Sequence, residues 1–145
     1  MARMKYVTGL DDVRKAFKRM SEEGARELTD ALGKGAAEIE STARMLAPVG
    51  EEDERHMRDT ISSTVRPLPN GRGVQAIVAV GTDAETRDAA LRTEFGRAPG
   101  GVGQEGHPGH DPQPFFFTAY QAVAKRVRNR VKRAIAKAAR RTAQR

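Results

Sequence analysis

Two groups of side chains in this sequence have the makings of a reactive site. His107-Pro108-Gly109-His110-Asp111 sets two imidazoles three residues apart beside a carboxylate, the raw material of a metal centre. Glu51-Glu52-Asp53-Glu54 is a run of carboxylates that could be paired for acid–base work. Neither builds a working constellation. The chain has three His and no Cys, so the two imidazoles lack further nitrogen or sulfur ligands. The same lack of Cys excludes disulfides and thiolate sites and leaves the redox compartment open. No Ser-His-Asp order accompanies a strand elbow, so nucleophilic catalysis has no support. The reading is a protein that is not an enzyme and holds no metal or cofactor, with the histidines in a polar flexible loop and the acids in a solvated one.

Charge is the stronger chemical feature. The formal net charge is +7, and it is concentrated at one end. Gln121 to Arg145 contains Lys125, Arg126, Arg128, Arg130, Lys132, Arg133, Lys137, Arg140, Arg141 and Arg145 and no acid. The rest of the chain holds 16 basic and all 19 acidic groups, a nearly balanced body. Such asymmetry points to a polyanionic partner or an acidic neighbouring surface. Lys125 through Arg141 therefore has three open readings: a solvated face, a contact with acidic surfaces of neighbouring subunits, or a non-specific contact with the phosphates of DNA. Charge alone would give salt-dependent, sequence-independent binding. No nucleic-acid reading motif or interleaved aromatic accompanies it.

The elements that carry these residues follow from periodicity. Leu10, Val13, Phe17 and Met20 recur at helical spacing, as do Leu28, Leu32, Ile39, Ala43 and Leu46, so residues 9 to 47 are expected to be helical. Gly24 marks a bend or break between the two runs. Gly33 and Gly35 weaken the second helix and allow another backbone to approach. Pro48 ends it, because the residue before proline is driven from helical geometry. After a charged connector at 49–59, Ile61 to Val65 and Val74 to Val80 read as two strands of a hairpin around Pro67-Leu68-Pro69-Asn70-Gly71. Arg87 to Phe95 fits either a third strand or a short helix with an extended end.

Residues 96–114 contain six Gly and four Pro and read as a long extended loop, a length that is uncommon unless functional or ordered by a partner. Phe115 then opens a basic amphipathic helix over 115–142, with Phe116, Tyr120, Val123, Val127, Val131, Ala134, Ile135 and Ala138 on one face. The expected class is α+β, one domain over residues 1–145, with N-terminal helices and a long C-terminal helix on a small antiparallel sheet. No stretch approaches the roughly 20 apolar residues that cross a bilayer, and the N-terminus lacks the apolar run of a secretory leader. A soluble protein made and used in a cytoplasm is expected. There is no Trp, and Phe plus Tyr number seven, so the monomer core is modest and subunit contacts are expected to add stability.

Two aromatic motifs are candidate contacts with other subunits. In Glu94-Phe95-Gly96, Phe95 either inserts into a neighbour or fills its own core, Gly96 permits a turn, and Glu94 pairs with an Arg. In Pro114-Phe115-Phe116-Phe117, three successive rings point about 100° apart and cannot all share one helix face. The register with Tyr120 and Val123 places Phe116 in the core and leaves Phe115 or Phe117 for a neighbour.

The order of these motifs resembles a known family. Ala43-Arg44-Met45-Leu46-Ala47-Pro48-Val49 looks like the end of a long helix followed by an Ala-Pro-Val turn. His56-Met57-Arg58-Asp59-Thr60-Ile61, Val80-Gly81, Arg92-Thr93-Glu94-Phe95-Gly96, Pro112-Gln113-Pro114-Phe115 and a basic C-terminal helix follow in turn. Over roughly residues 10 to 140 this set is similar to the neck or tail-completion proteins of tailed phages, typified by gene product ten of lambda-like phages. Gly50 and a run of acids stand where that family has Asp-Thr-Gly, and the loop after Gly96 is longer and richer in glycine. The resemblance implies a virion protein of the head–tail junction that assembles as a ring, often sixfold, in the neck or at the top of the tail. The implied partners are further copies, a head-closure protein, a tail terminator, the tail tube and genomic DNA in the lumen. A tail-terminator ring is the alternative within the class, and a nucleic-acid-binding protein the alternative outside it.

Overall fold

The computed structural model describes residues 22–49, 57–70, 73–100 and 108–143. The run carrying Leu10 to Met20, the acids at 51–54 and His107 lie outside the described residues. Among the described residues the fold has three helices, one 3-10 turn and one antiparallel hairpin: α1 (Glu22–Leu46), the 3-10 turn (Met57–Thr60), β1 (Ser62–Pro67), β2 (Val74–Ala79), α2 (Ala84–Phe95) and α3 (Phe116–Ala143). This is an α+β arrangement, as the pattern of elements predicts.

α1 is the central layer. It packs along α3 on one side and against both strands on the other. Its buried positions are Leu28, Ala31, Ala36, Ala43 and, just past its end, Ala47, while α3 contributes Ala119, Val123, Ala124 and Ala138. Small residues on both helices let the two axes approach closely. Gly35 shows how closely: a Cβ there would sit 2.7 Å from a methyl of Val127. The expectation of close approach at Gly35 is met by a side chain of α3. Gly24 lies in the first turn of α1, and the run on its other side lies outside the described residues. Leu46, expected on the buried face, is instead 46% exposed, because the face turns toward Ala43 and Ala47 as the helix ends.

The hairpin pairs Ser62 with Ala79 through Pro67 with Val74. Two polar ties hold it to α1. Ser63 Oγ donates to Glu40 Oε2 at 2.5 Å, and Arg44 Nη2 donates to the Ile61 carbonyl at 2.6 Å. Arg44 also pairs with Glu40 at 2.8 Å. The buried Thr60 hydroxyl accepts the Gly81 N–H at 3.2 Å, joining the 3-10 turn to the end of β2. Among the described residues the core centres on Ala43, Ala47, Ile61, Ala90, Phe115 and Ala119, with Met57, Val78, Val80 and Phe116 packed around it. No helix of the described residues is long and apolar enough to cross a membrane.

The segment 87–95, open between strand and helix by pattern, lies in α2. Its start carries a capping box: Asp83 Oδ1 accepts the Thr86 N–H at 2.8 Å, and Thr86 Oγ1 accepts the Asp83 N–H at 3.2 Å. That box satisfies two otherwise orphaned donors. The helix buries only Ala90 and Glu94, so its apolar periodicity is weak and could not decide the matter.

Candidate functional site

The two aromatic motifs meet at one end of the molecule and form a single unit. α3 begins without a capping side chain of its own and has no acid in its first turn. Glu94, at the end of α2, supplies both. Its Oε2 accepts the N–H groups of Phe115 at 2.9 Å and Phe116 at 3.0 Å, and its Oε1 accepts that of Phe117 at 3.1 Å. A negative group here also opposes the positive end of the helix dipole. Glu94 is 7% exposed, and its carboxylate is committed to backbone donors rather than to the expected arginine. A buried carboxylate is tolerated where several donors surround it, so Glu94 needs no arginine here.

Gly96 makes the turn that lets the chain return. Its φ is 78°, a region that favours glycine, and a Cβ would lie 2.9 Å from the ring of Pro112. The strands of the returning loop are tied in two places. Arg97 and His110 exchange backbone hydrogen bonds at 3.0 Å, and the Gln113 N–H donates to the Thr93 carbonyl at 2.7 Å. The base of the 96–114 loop is therefore closed within the chain and does not wait for a partner. His110 belongs to this bridge, with its ring exposed. Among the described residues no group of three or more His, Cys, Asp or Glu could hold a metal ion.

The three phenylalanines divide differently from the expectation. Phe115 is 1% exposed and is the largest fully buried side chain among the described residues, so it is core and not a candidate subunit contact. It precedes the helix and points inward with Ala119 and Val123, four and eight residues on. Phe116 is half-buried beside it, and Tyr120, expected on the buried face, is exposed. Only the start of the stripe differs from the prediction, with Phe115 and Ala119 buried in place of Phe116 and Tyr120; Val123 and Ala138 are buried and Val127, Val131, Ala134 and Ile135 half-buried, as the periodicity predicts. Pro114 is exposed, and its carbonyl accepts the Thr118 hydroxyl at 3.2 Å.

Phe117 and Phe95 remain outside. They are 53% and 64% exposed, with ring centroids 6.1 Å apart. Phe95 therefore does not fill its own core. Leu91, one helical turn before Phe95, is also exposed. These three rim an open groove of about 340 Å³ floored by Val78, Val80, Ala90 and Phe116. Leu91, Val78 and Val80 were not among the predicted site residues. The signal that could have found Leu91 is its i, i+4 relation to Phe95, visible once 84–95 is taken as helical.

The basic helix divides as well. Glu38 of α1 pairs with Arg126 at 2.7 Å and Arg130 at 2.8 Å. Glu27 pairs with Lys137 at 3.1 Å and with Arg141. The Arg130 hydrogen bond, with Arg126 beside it, holds the Glu38 carboxyl below the usual range against the opposing effect of burial. Four of the nine predicted contact residues thus have partners inside the chain, a possibility outside the three sequence readings. Arg133 Nε donates to the Asn129 carbonyl at 3.3 Å. Lys125, Arg128, Lys132 and Arg140 are exposed and make no ion pair among the described residues.

Compared with known proteins, the chain matches no family model, no curated relative and no solved structure.

Proposed function

We propose that the chain is a structural subunit of a tailed-phage virion, a neck or tail-completion protein that closes a ring with copies of itself and helps join or complete the tail, and not an enzyme. The observation that carries this reading is the exposed Phe95–Phe117 pair, with Leu91, on the rim of an apolar groove. Large apolar residues gathered in one exposed patch mark an interaction surface. The core behind them is built mostly of alanine, so burial of three large side chains against a copy would add a sizeable share of the total apolar burial. The motif order adds support. Glu94-Phe95-Gly96 and Pro112-Gln113-Pro114-Phe115, which carry the resemblance to phage neck proteins, act here as one unit that presents the two exposed rings.

In this reading the Glu94 cap and the closed loop base make a rigid platform, and contact between platforms and grooves builds the ring. Further copies are the first partner. A head-closure protein, a tail terminator and the tail tube are the neighbours that the resemblance implies, and sixfold symmetry comes from the resemblance alone. The protein would be made in the host cytoplasm and reside in the neck or top of the tail.

Sedimentation and negative-stain imaging of the purified chain over a range of concentrations test the reading. Rings are expected for the native chain, and monomers for Phe95→Glu and Phe117→Glu with helical content unchanged. A native chain that stays monomeric throughout would remove the basis of the proposal. A tail-terminator ring would use the same surface, and gold-labelled antibody on intact particles would separate the two positions.

A further inference from the structure

Eight of the nine cations of α3 fall into two sets by geometry; the ninth, Arg133, is exposed between them and donates to the Asn129 carbonyl. At about 100° per residue, Arg126, Arg130, Lys137 and Arg141 lie within a sector of roughly 60° that faces Glu38 and Glu27. Lys125, Arg128, Lys132 and Arg140 occupy a sector of about 120° centred well away from it, on the outer face of the helix. All four are exposed. α3 contains no acid, so nothing on its own surface neutralises them.

Helix physics does not account for this outer row. Lys125 with Arg128, and Arg128 with Lys132, are like charges three and four residues apart, which destabilises a helix by a few tenths of a kcal/mol per pair. Favourable interaction with the helix dipole is confined to the last turn, so it covers Arg140 but neither Lys125 nor Arg128. Between the cations the outer face carries Ala122, Asn129, Ala136 and Ala139, all exposed and short. A broad anionic surface can therefore approach the helix along its length. The row from Lys125 to Arg140 is about 22 Å long at 1.5 Å per residue. That length spans about six phosphates of one DNA strand at ~3.4 Å each.

We infer that this outer row is a phosphate-backbone contact for double-stranded DNA, independent of base sequence. The face has no exposed aromatic among its short residues, so it offers no platform for stacked bases, on which single-strand binding relies. Its charged groups form a row along the helix, so duplex charge density is the feature it recognises. The inference goes beyond the ring reading and does not need it, because the row is complete within one chain.

Fluorescence anisotropy of the full chain with a labelled 30-base-pair duplex tests it. Four phosphate contacts predict a slope of log K against log salt near about −3.6. The variant Lys125→Gln/Arg128→Gln is expected to reduce that slope by about 1.8. The variant Arg126→Gln/Lys137→Gln removes the same charge from the inner set and leaves Glu38 and Glu27 each with one partner. It is expected to change the slope by less than about half as much. A single strand of equal length is expected to bind more weakly than the duplex. Equal loss from both variants would reduce the effect to net charge and overturn the assignment, as would no binding at low salt or stronger binding of the single strand. If Lys125→Gln/Arg128→Gln leaves DNA binding intact but lowers self-association, the row faces an acidic protein surface and the inference is wrong. Sedimentation of the same samples keeps this result separate from the ring reading.

Discussion

Glu94 accepts the backbone N–H of Phe116 at 3.0 Å, and through its other oxygen that of Phe117, so the end of α2 caps the start of α3 across a sequence gap of more than twenty residues. Removing the carboxylate with Glu94→Ala would leave three N–H donors at the helix start without it. Cap losses cost about 1 kcal/mol, and hydrogen bonds to a charged group up to about 3 kcal/mol each, so a loss of about 2–3 kcal/mol is expected. Glu94→Gln keeps an acceptor oxygen and should lose about half of that. Urea unfolding measures both. A loss under about 0.5 kcal/mol for Glu94→Ala would mean that water replaces the carboxylate freely.

Gly33 and Gly35 of α1 should respond to alanine in opposite directions. Alanine is favoured over glycine in a helix by about 1 kcal/mol. At Gly33 a Cβ would meet a methyl of Val65 at 3.6 Å, ordinary contact, so Gly33→Ala should stabilise by about 0.5–1 kcal/mol. At Gly35 it would lie 2.7 Å from Val127, whose branched side chain has little freedom to yield. Overpacking there costs about 1–3 kcal/mol, so Gly35→Ala should destabilise by a net amount of about 1 kcal/mol. Thermal melts of the two single variants decide it, and melting points that rise together would show that α1 and α3 can part without penalty.

Much of the fold was legible because it follows local rules. The α1 stop before Pro48, the hairpin of β1 and β2, and the start of α3 near Phe115 all come from turn chemistry and periodicity. α2 was not legible from apolar spacing, since only Ala90 and Glu94 are buried, and the usable mark was the Asp83–Thr86 box. The site was half legible. The motifs named the right region, but the roles of Glu94 and Phe115 depend on a contact between distant segments that no local pattern encodes. The α1–α3 ion pairs left a trace that could have been read. Glu27 and Glu38 are eleven residues apart, as are Arg126 and Lys137, and Arg130 and Arg141. Eleven residues is close to three helical turns, so the two sets match on antiparallel helices.

Those ion pairs make stability depend on pH through Glu38. Its carboxyl is held below the ordinary value of 4.5, first by the Arg130 hydrogen bond. A group whose folded pKa is depressed contributes stability that is present above its unfolded pKa and is lost as pH falls through the folded one. The native chain should therefore lose stability progressively below about pH 4.5. Glu38→Gln should flatten part of that fall while lowering stability at neutral pH. Melting temperature against pH for the two proteins tests the sign, and parallel curves would place the acid sensitivity elsewhere.

Phe115 and Phe117 should separate folding from assembly, although only one residue lies between them. Phe115 is fully buried against Ala43, Ala47 and Ala119, so Phe115→Ala opens a cavity among residues too small to fill it. A loss of about 3–5 kcal/mol is expected, enough to unfold much of a marginal chain. Phe117 is half exposed and touches Phe95 at ring distance, so Phe117→Ala should change monomer stability by no more than about 1 kcal/mol. If Phe117 serves a subunit contact, the same substitution should raise the concentration needed for assembly at least tenfold, since loss of a large interface aromatic costs about 2 kcal/mol. Unfolding of dilute protein and sedimentation of concentrated protein read the two effects apart. Equal effects of the two substitutions on both measurements would mean that Phe117 is an ordinary part of the fold and that the groove it borders is not where copies meet.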